Sequence, residues 1–252
     1  MNKQKQLESN LEYLKLPYIG ENYKTMTSES AEKQLTHMQF LTSTIASEVN
    51  EKQQRASERR IKQARFPVLK TLEQFQWDYP EDINTDLVRH LFGLDFIGKC
   101  ANVIFLGPPG LGKTHLAVAL SYQACMHGHS VRFDTAINVI NRLDAAQKAG
   151  NFGQILRSFT RPDLLCLDEL GYLPIDQRGA DLLFQVISSR YETGSMILTS
   201  NRQFNQWPVI FDNDKTITSA ILDRLLHHCE VVVIEGTSFR MKEKKKNICN
   251  PE

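Results

Sequence analysis

Apolar residues fall into two textures along this chain. In residues 1–66 they are sparse and helically spaced among Glu, Lys, Gln, Ser and Ala. Leu11, Leu14 and Leu16 make a short apolar start. Leu35, Met38, Leu41 and Ile45 form one stripe, because steps of three and four residues align on one helix face. No Gly follows Gly20, and no Pro follows Pro17 until Pro67, so the segment is predicted helical. Pro67 ends it, since the residue before a proline is pushed out of the helical region. Residues 75–80 predict an extended aromatic joint, and residues 86–92 a short helix closed by Gly93. From residue 101 short apolar runs alternate with helical stretches. Strands are predicted at Asn102–Leu106, 131–133, 164–167, Ser195–Ser200 and 231–234, with helices at 114–127 and 181–191. That alternation predicts an α/β fold, a parallel sheet covered by helices.

The change of texture sets the expected domains. Residues 1–66 form a helical N-terminal domain, 67–100 a linker and the start of the core, and 101–252 the core with a basic tail. No repeat or low-complexity tract interrupts this plan. No apolar run approaches the roughly 18 residues of a membrane span. The polar N-terminus carries no apolar signal core, so the expected compartment is the cytoplasm and no membrane partner is expected.

Net charge is +1, which excludes a uniformly basic coat, but the total hides an imbalance. Residues 1–70 hold 12 basic and 8 acidic side chains, or +4, and residues 231–252 hold 5 and 3, or +2. The centre, 71–230, holds 13 and 18, or −5. Basic ends around an acidic centre are compatible with contact to nucleic acid. The five cysteines are scattered and never spaced as CxxC, against a disulfide framework or a zinc ribbon. His227-His228-Cys229 looks metal-like, but neighbouring side chains on a helix or strand point apart and no second ligand group is visible, so it reads as a helix end.

Gly107-Pro108-Pro109-Gly110-Leu111-Gly112-Lys113-Thr114 matches G-x-x-x-x-G-K-[ST] between a predicted strand and helix. The glycines let the backbone approach a phosphate without a Cβ clash. Successive N–H groups and the helix N-terminus offer donors to phosphate oxygens. Lys113 supplies a point charge to the β- and γ-phosphates of ATP, and the Thr114 hydroxyl a ligand to Mg²⁺. Leu164-Leu165-Cys166-Leu167 is a buried run ending in Asp168 and Glu169. Asp168 is expected to hold Mg²⁺ and Glu169 to polarise the attacking water. The next strand ends in Ser200-Asn201, an amide that could touch the γ-phosphate and that water. Positive charge opposite the γ-phosphate is to come from Arg178, Arg190, Arg202, Arg224 or Arg240.

This set, GPPGLGKT, LLCLDE, TSN, ILDRL and SFR, resembles an AAA+ ATPase. More narrowly, the chain resembles the IstB-like ATP-binding proteins, transposition helpers of insertion sequences akin to DnaC-type helicase loaders. The resemblance rests on Leu91-Phe92-Gly93-Leu94-Asp95-Phe96-Ile97, on Lys113-Thr114-His115-Leu116-Ala117, on Asp168-Glu169-Leu170-Gly171-Tyr172-Leu173-Pro174, on Ser200-Asn201-Arg202 with Trp207, and on Leu14-Lys15-Leu16-Pro17. It implies a five-stranded parallel sheet behind a small helical domain, with the C-terminal lid absent or vestigial. It implies ATP hydrolysis, binding of duplex DNA with weak sequence preference, assembly into rings or spirals, and service to a partner transposase. Residues 107–115, His115 included, would bind the nucleotide. Asn201 would be the sensor, Arg224 the finger acting on a neighbour's ATP, and Arg240 the second sensor arginine. The alternative is a replicative helicase loader, which the core motifs do not separate from the first reading. A metabolic P-loop kinase is disfavoured by the LDE and TSN pair with arginines in trans, and a non-hydrolysing module by intact Lys113, Thr114, Asp168 and Glu169.

Overall fold

Three helices open the chain: α1 (Lys3–Tyr13), α2 (Pro17–Glu32) and α3 (His37–Ala64). Then follow β1 (Asp82–Ile83), α4 (Thr85–Leu91), α5 (Asp95–Gly98), β2 (Asn102–Leu106), α6 (Lys113–Met126), β3 (Val131–Thr135), α7 (Ala136–Lys148) and α8 (Phe152–Thr160). The rest is β4 (Leu164–Leu170), α9 (Gln177–Arg190), β5 (Ser195–Ser200), α10 (Trp207–Ile210), α11 (Lys215–Leu226) and β6 (Cys229–Glu235). This computed structural model describes residues 3–236, so Arg240, the basic tail and the lid expectation lie outside the described residues.

The chain divides into two units, residues 1–59 and 60–252, with the division inside α3. In the first unit, Leu11 and Ile19 are buried and the Ile19 amide donates to the buried Glu48 carboxylate at 2.9 Å. Pro17 starts α2, where a missing N–H costs nothing. The predicted stripe on α3 does not form a core: Met38, Leu41 and Ile45 are exposed, and Val49 extends that uncovered face.

In the second unit the sheet order is β1-β6-β2-β5-β4-β3. The five strands β2 to β6 are parallel. The expectation of five strands is corrected to six, because two residues of β1 pair antiparallel with the end of β6. Strand side chains alternate between faces, and here both faces are covered. Val103, Phe105, Cys166 and Ile197 enter the core beneath α6, while Ile104, Leu106, Leu165, Leu167 and Leu198 enter the core shared with α7, α9 and α11. That double burial explains the unbroken apolar runs. Residues 67–100, expected as a linker and the start of the core, contribute Phe75, Val88, Leu91, Phe96 and Ile97 to it. Between β3 and β4 stand two helices, α7 and α8; the Thr135 side chain caps α7 by accepting from the Asn138 amide.

Arg190 is not a candidate for phosphate. It is fully buried, and its guanidinium donates to the carbonyls of Phe159, Thr160, Pro162, Asp163 and Ser195 at 2.7–3.2 Å. Burial pulls its pKa down to about 10, which still leaves it charged at neutral pH. It ties the end of α9 to the turn before β4 and to the start of β5.

Candidate active site

The phosphate loop leaves the carboxyl end of β2, where open α/β sheets bind ligands. Gly107, Gly110 and Gly112 have φ of 149°, 83° and 88°. A Cβ on Gly107 would lie 2.2 Å from the Ile234 carbonyl oxygen, and one on Gly112 would lie 2.6 Å from the Phe75 ring. Those two positions therefore require glycine for space as well as for conformation. Leu111 is buried and anchors the loop in the core, whereas Pro108 and Pro109 are exposed. Lys113 opens α6; it is buried, and its Nζ donates to the Pro108 carbonyl at 2.7 Å, closing the loop on itself.

Thr114 and Asp168, 54 residues apart, are brought together. The Thr114 hydroxyl lies 2.9 Å and 3.1 Å from the two Asp168 carboxylate oxygens. A hydroxyl beside a carboxylate is the hard oxygen donor set that suits Mg²⁺. Asp168 is buried, and the Thr199 hydroxyl of β5 donates to it as well. The same Thr199 oxygen accepts from the Glu169 amide at 3.0 Å. At this point the β4–β5 register shifts, and Glu169 takes φ +61°, uncommon for a non-glycine residue. The irregularity separates the two acids: Asp168 stays buried, and Glu169 becomes exposed at the mouth of the cavity.

That cavity, of about 560 Å³, is large enough for a small-molecule ligand. It runs from Gly110–Thr114, His115 and Glu169 to Val68, Phe75 and Tyr79. Apart from His115, the aromatic wall is a part of the site that the sequence does not assign. Its only signal was an aromatic cluster before the loop, read as a joint. His115 belongs to this wall: its Nε2 lies 2.8 Å from the Thr71 carbonyl, and its ring meets Phe75 edge-on at 5.4 Å. Burial pushes the His115 pKa down, partly offset by its hydrogen bond to Thr71. A second cavity touches Thr114, Asp168 and Glu169 from the β3 side, walled by Arg65, Arg132, Arg142 and Asp134. Asp134 pairs with Arg132 at 3.0 Å and Arg142 at 2.9 Å.

Asn201 follows β5 and borders a third cavity with Gly107 and Pro108. Its Oδ1 is buried with no hydrogen-bond partner. Gly171, at φ +95°, lets the chain after β4 approach here; a Cβ would lie 2.8 Å from Ile210, 3.0 Å from Arg202 and 3.3 Å from Asn201. Arg224 is not brought to the loop. It sits in the last turn of α11 over the Phe184 ring, 4.7 Å from its centroid. The next residue's carbonyl accepts from the Asn102 side chain, which opens β2. The phosphate loop lies at the other end of that strand, about 16 Å along for five residues.

A family model described as IstB-like ATP binding protein matches residues 9–247. This chain belongs to that family. It is 42% identical over 241 residues to a protein named for ATP binding in insertion sequence IS21 of Pseudomonas aeruginosa, covering 96% of this chain and 91% of the relative. It is 38% identical over 232 residues to the corresponding protein of insertion sequence IS5376 from Geobacillus stearothermophilus, covering 92% of each. Among solved structures, the DnaC helicase loader superposes with a TM-score of 0.51 at 23% identity, covering 66% of this chain and 96% of that one. The last likeness shows a shared fold and nothing about loading. No helix among the described residues is long and apolar enough to cross a membrane.

Proposed function

We propose that this protein is an ATP-hydrolysing, DNA-binding oligomer that assists a transposase in DNA transposition, working in the cytoplasm. The observation that carries the hydrolytic part is the convergence of Thr114, Asp168 and Glu169 at the phosphate loop. The insertion-sequence relatives support the transposition part.

In this reading the N–H groups of residues 107–114 and the N-terminus of α6 hold the phosphates, and Val68, Phe75 and Tyr79 take the base. Lys113 leaves the Pro108 carbonyl for the β- and γ-phosphates. Thr114 and Asp168 hold Mg²⁺, which when bound neutralises charge on the phosphate oxygens. Glu169 orients a water and takes its proton as the water oxygen attacks the γ-phosphorus and the bond to ADP breaks. Asn201 reads the γ-phosphate. Arg240, outside the described residues, keeps its role as second sensor.

Arg224 works on a neighbouring copy, because within its own chain it lies at the wrong end of the sheet. Hydrolysis then reports assembly into a ring or spiral. A mixing experiment tests this. Arg224→Ala protein retains a complete loop, and Lys113→Ala protein retains its arginine. Each alone is expected to be nearly inactive, and the mixture to regain part of the ATPase rate. A mixture no faster than its components would remove Arg224 from the trans role.

Duplex binding is assigned to the basic face of α3. Lys52, Arg55 and Arg59, at steps of three and four residues, are exposed on one side of that helix. Replacing all three by Ala is expected to weaken binding to duplexes of any sequence. The slope of log K against log salt should shrink by about 0.9 for each phosphate that the protein no longer neutralises. An unchanged slope across a salt series would move the DNA site elsewhere.

A further inference from the structure

The tertiary structure gives His227 and His228 the ligand partner that the sequence lacked. The chain leaves α11 at this point, with His227 as the residue after its last turn. The two rings therefore do not point apart; their centroids are 4.1 Å apart, inclined at 47°. Glu192, from the turn after α9, joins them, and the three offer ligand atoms all within 4.8 Å of one another. The Glu192 carboxylate is 3.8 Å from His227 Nδ1, and the Tyr191 hydroxyl is 2.9 Å from that same nitrogen. Cys229 is not part of the group: it packs against the core on the α9 and α11 face of the sheet.

We propose that Glu192, His227 and His228 form a binding site for a divalent zinc ion. Two imidazoles and one carboxylate make a borderline donor set that favours zinc over magnesium or calcium, with water completing the coordination. All three side chains are exposed, so a hydrated ion reaches them without opening the fold. Their backbones are nonetheless fixed. The His228 carbonyl accepts from the Asn102 amide at 2.7 Å, holding it to the start of β2. The amides of Thr193 and Gly194 both donate to the Arg190 carbonyl, so the turn carrying Glu192 rests on a residue whose own side chain is tied to five carbonyls. The Tyr191 hydroxyl sits on His227 Nδ1, so it supports the ring as an outer contact where the ion takes Nε2. An ion here ties the end of α9 to the end of α11, the helix that carries Arg224. The proposal itself does not depend on the role of that arginine.

The test is zinc chloride titrated calorimetrically into the chelator-treated full chain, with thermal unfolding as a second readout. The expected result is one saturable equivalent and a raised unfolding temperature, undisturbed by millimolar-range magnesium. Glu192→Gln and His228→Ala should each weaken zinc binding by about tenfold or more. Both remove only exposed side-chain groups, so their unfolding temperatures without zinc report whether they fold. Zinc binding of equal strength and stoichiometry in the His227→Ala/His228→Ala protein would overturn the proposal, as would the absence of saturable binding in the unaltered chain.

Discussion

Glu169→Gln is expected to stop ATP turnover while leaving ATP bound. The side chain sits at the cavity mouth, exposed, on a backbone held in the left-handed region by the Thr199 contact. Gln has the same shape, so neither the hydrogen bond to the Glu169 amide nor the burial of Asp168 changes. What is lost is the ability to accept a proton from the attacking water, worth about 10²- to 10⁴-fold in rate. Phosphate release, measured with duplex DNA and excess ATP, should fall by that factor, and nucleotide affinity by equilibrium binding should stay within about twofold, a change of under 0.5 kcal/mol. Retained turnover would take Glu169 out of the water-activating role. Reduced ATP affinity would show instead that the carboxylate contributes to holding the nucleotide.

Arg190→Met should cost about 3–5 kcal/mol of folding stability, a large part of the total for a typical domain. The native guanidinium is fully buried and satisfies five backbone carbonyls, four from residues 159–163 and one from Ser195. Methionine fills comparable space but leaves those carbonyls without donors, and each such loss is expensive in a dry interior. Arg190→Lys should recover little, because one ammonium cannot reproduce the planar fork that spans Pro162, Asp163 and Ser195. Denaturant midpoints measure both effects. A shift below about 1 kcal/mol for the Met variant would mean that water or rearranged backbone replaces the arginine.

The contrast between Arg190 and Arg224 shows where sequence reasoning stops. In sequence both are candidates for the charge opposite the γ-phosphate, and no local pattern tells them apart. The fold buries one among carbonyls and leaves the other on α11 at the far end of β2. Likewise Thr199 reads in the sequence only as the first residue of the TSN run, with no role of its own. It matters because β5 stands between β2 and β4, which brings its hydroxyl to Asp168 and to the Glu169 amide. Strand order is a product of crossover connections, and no residue pattern within β5 reports it.

By itself the sequence determined the parallel α/β core, the phosphate loop, and the acid pair at the end of β4. Each is a local signal: apolar runs long enough to bury a strand on both faces, glycines at fixed intervals, and a lysine and hydroxyl next to them. The family resemblance was equally legible, because DELGYLP and its companions are contiguous words. Tertiary structure alone decided the rest. It closed the cavity with Phe75 and Tyr79 from a segment that reads as a joint, split Asp168 from Glu169 by a local irregularity, left the α3 stripe uncovered, and set Glu192 beside His227 and His228. Most of these are contacts between residues far apart in the chain. They follow from which surfaces the packed sheet and helices bring together, and composition, spacing and periodicity do not encode that.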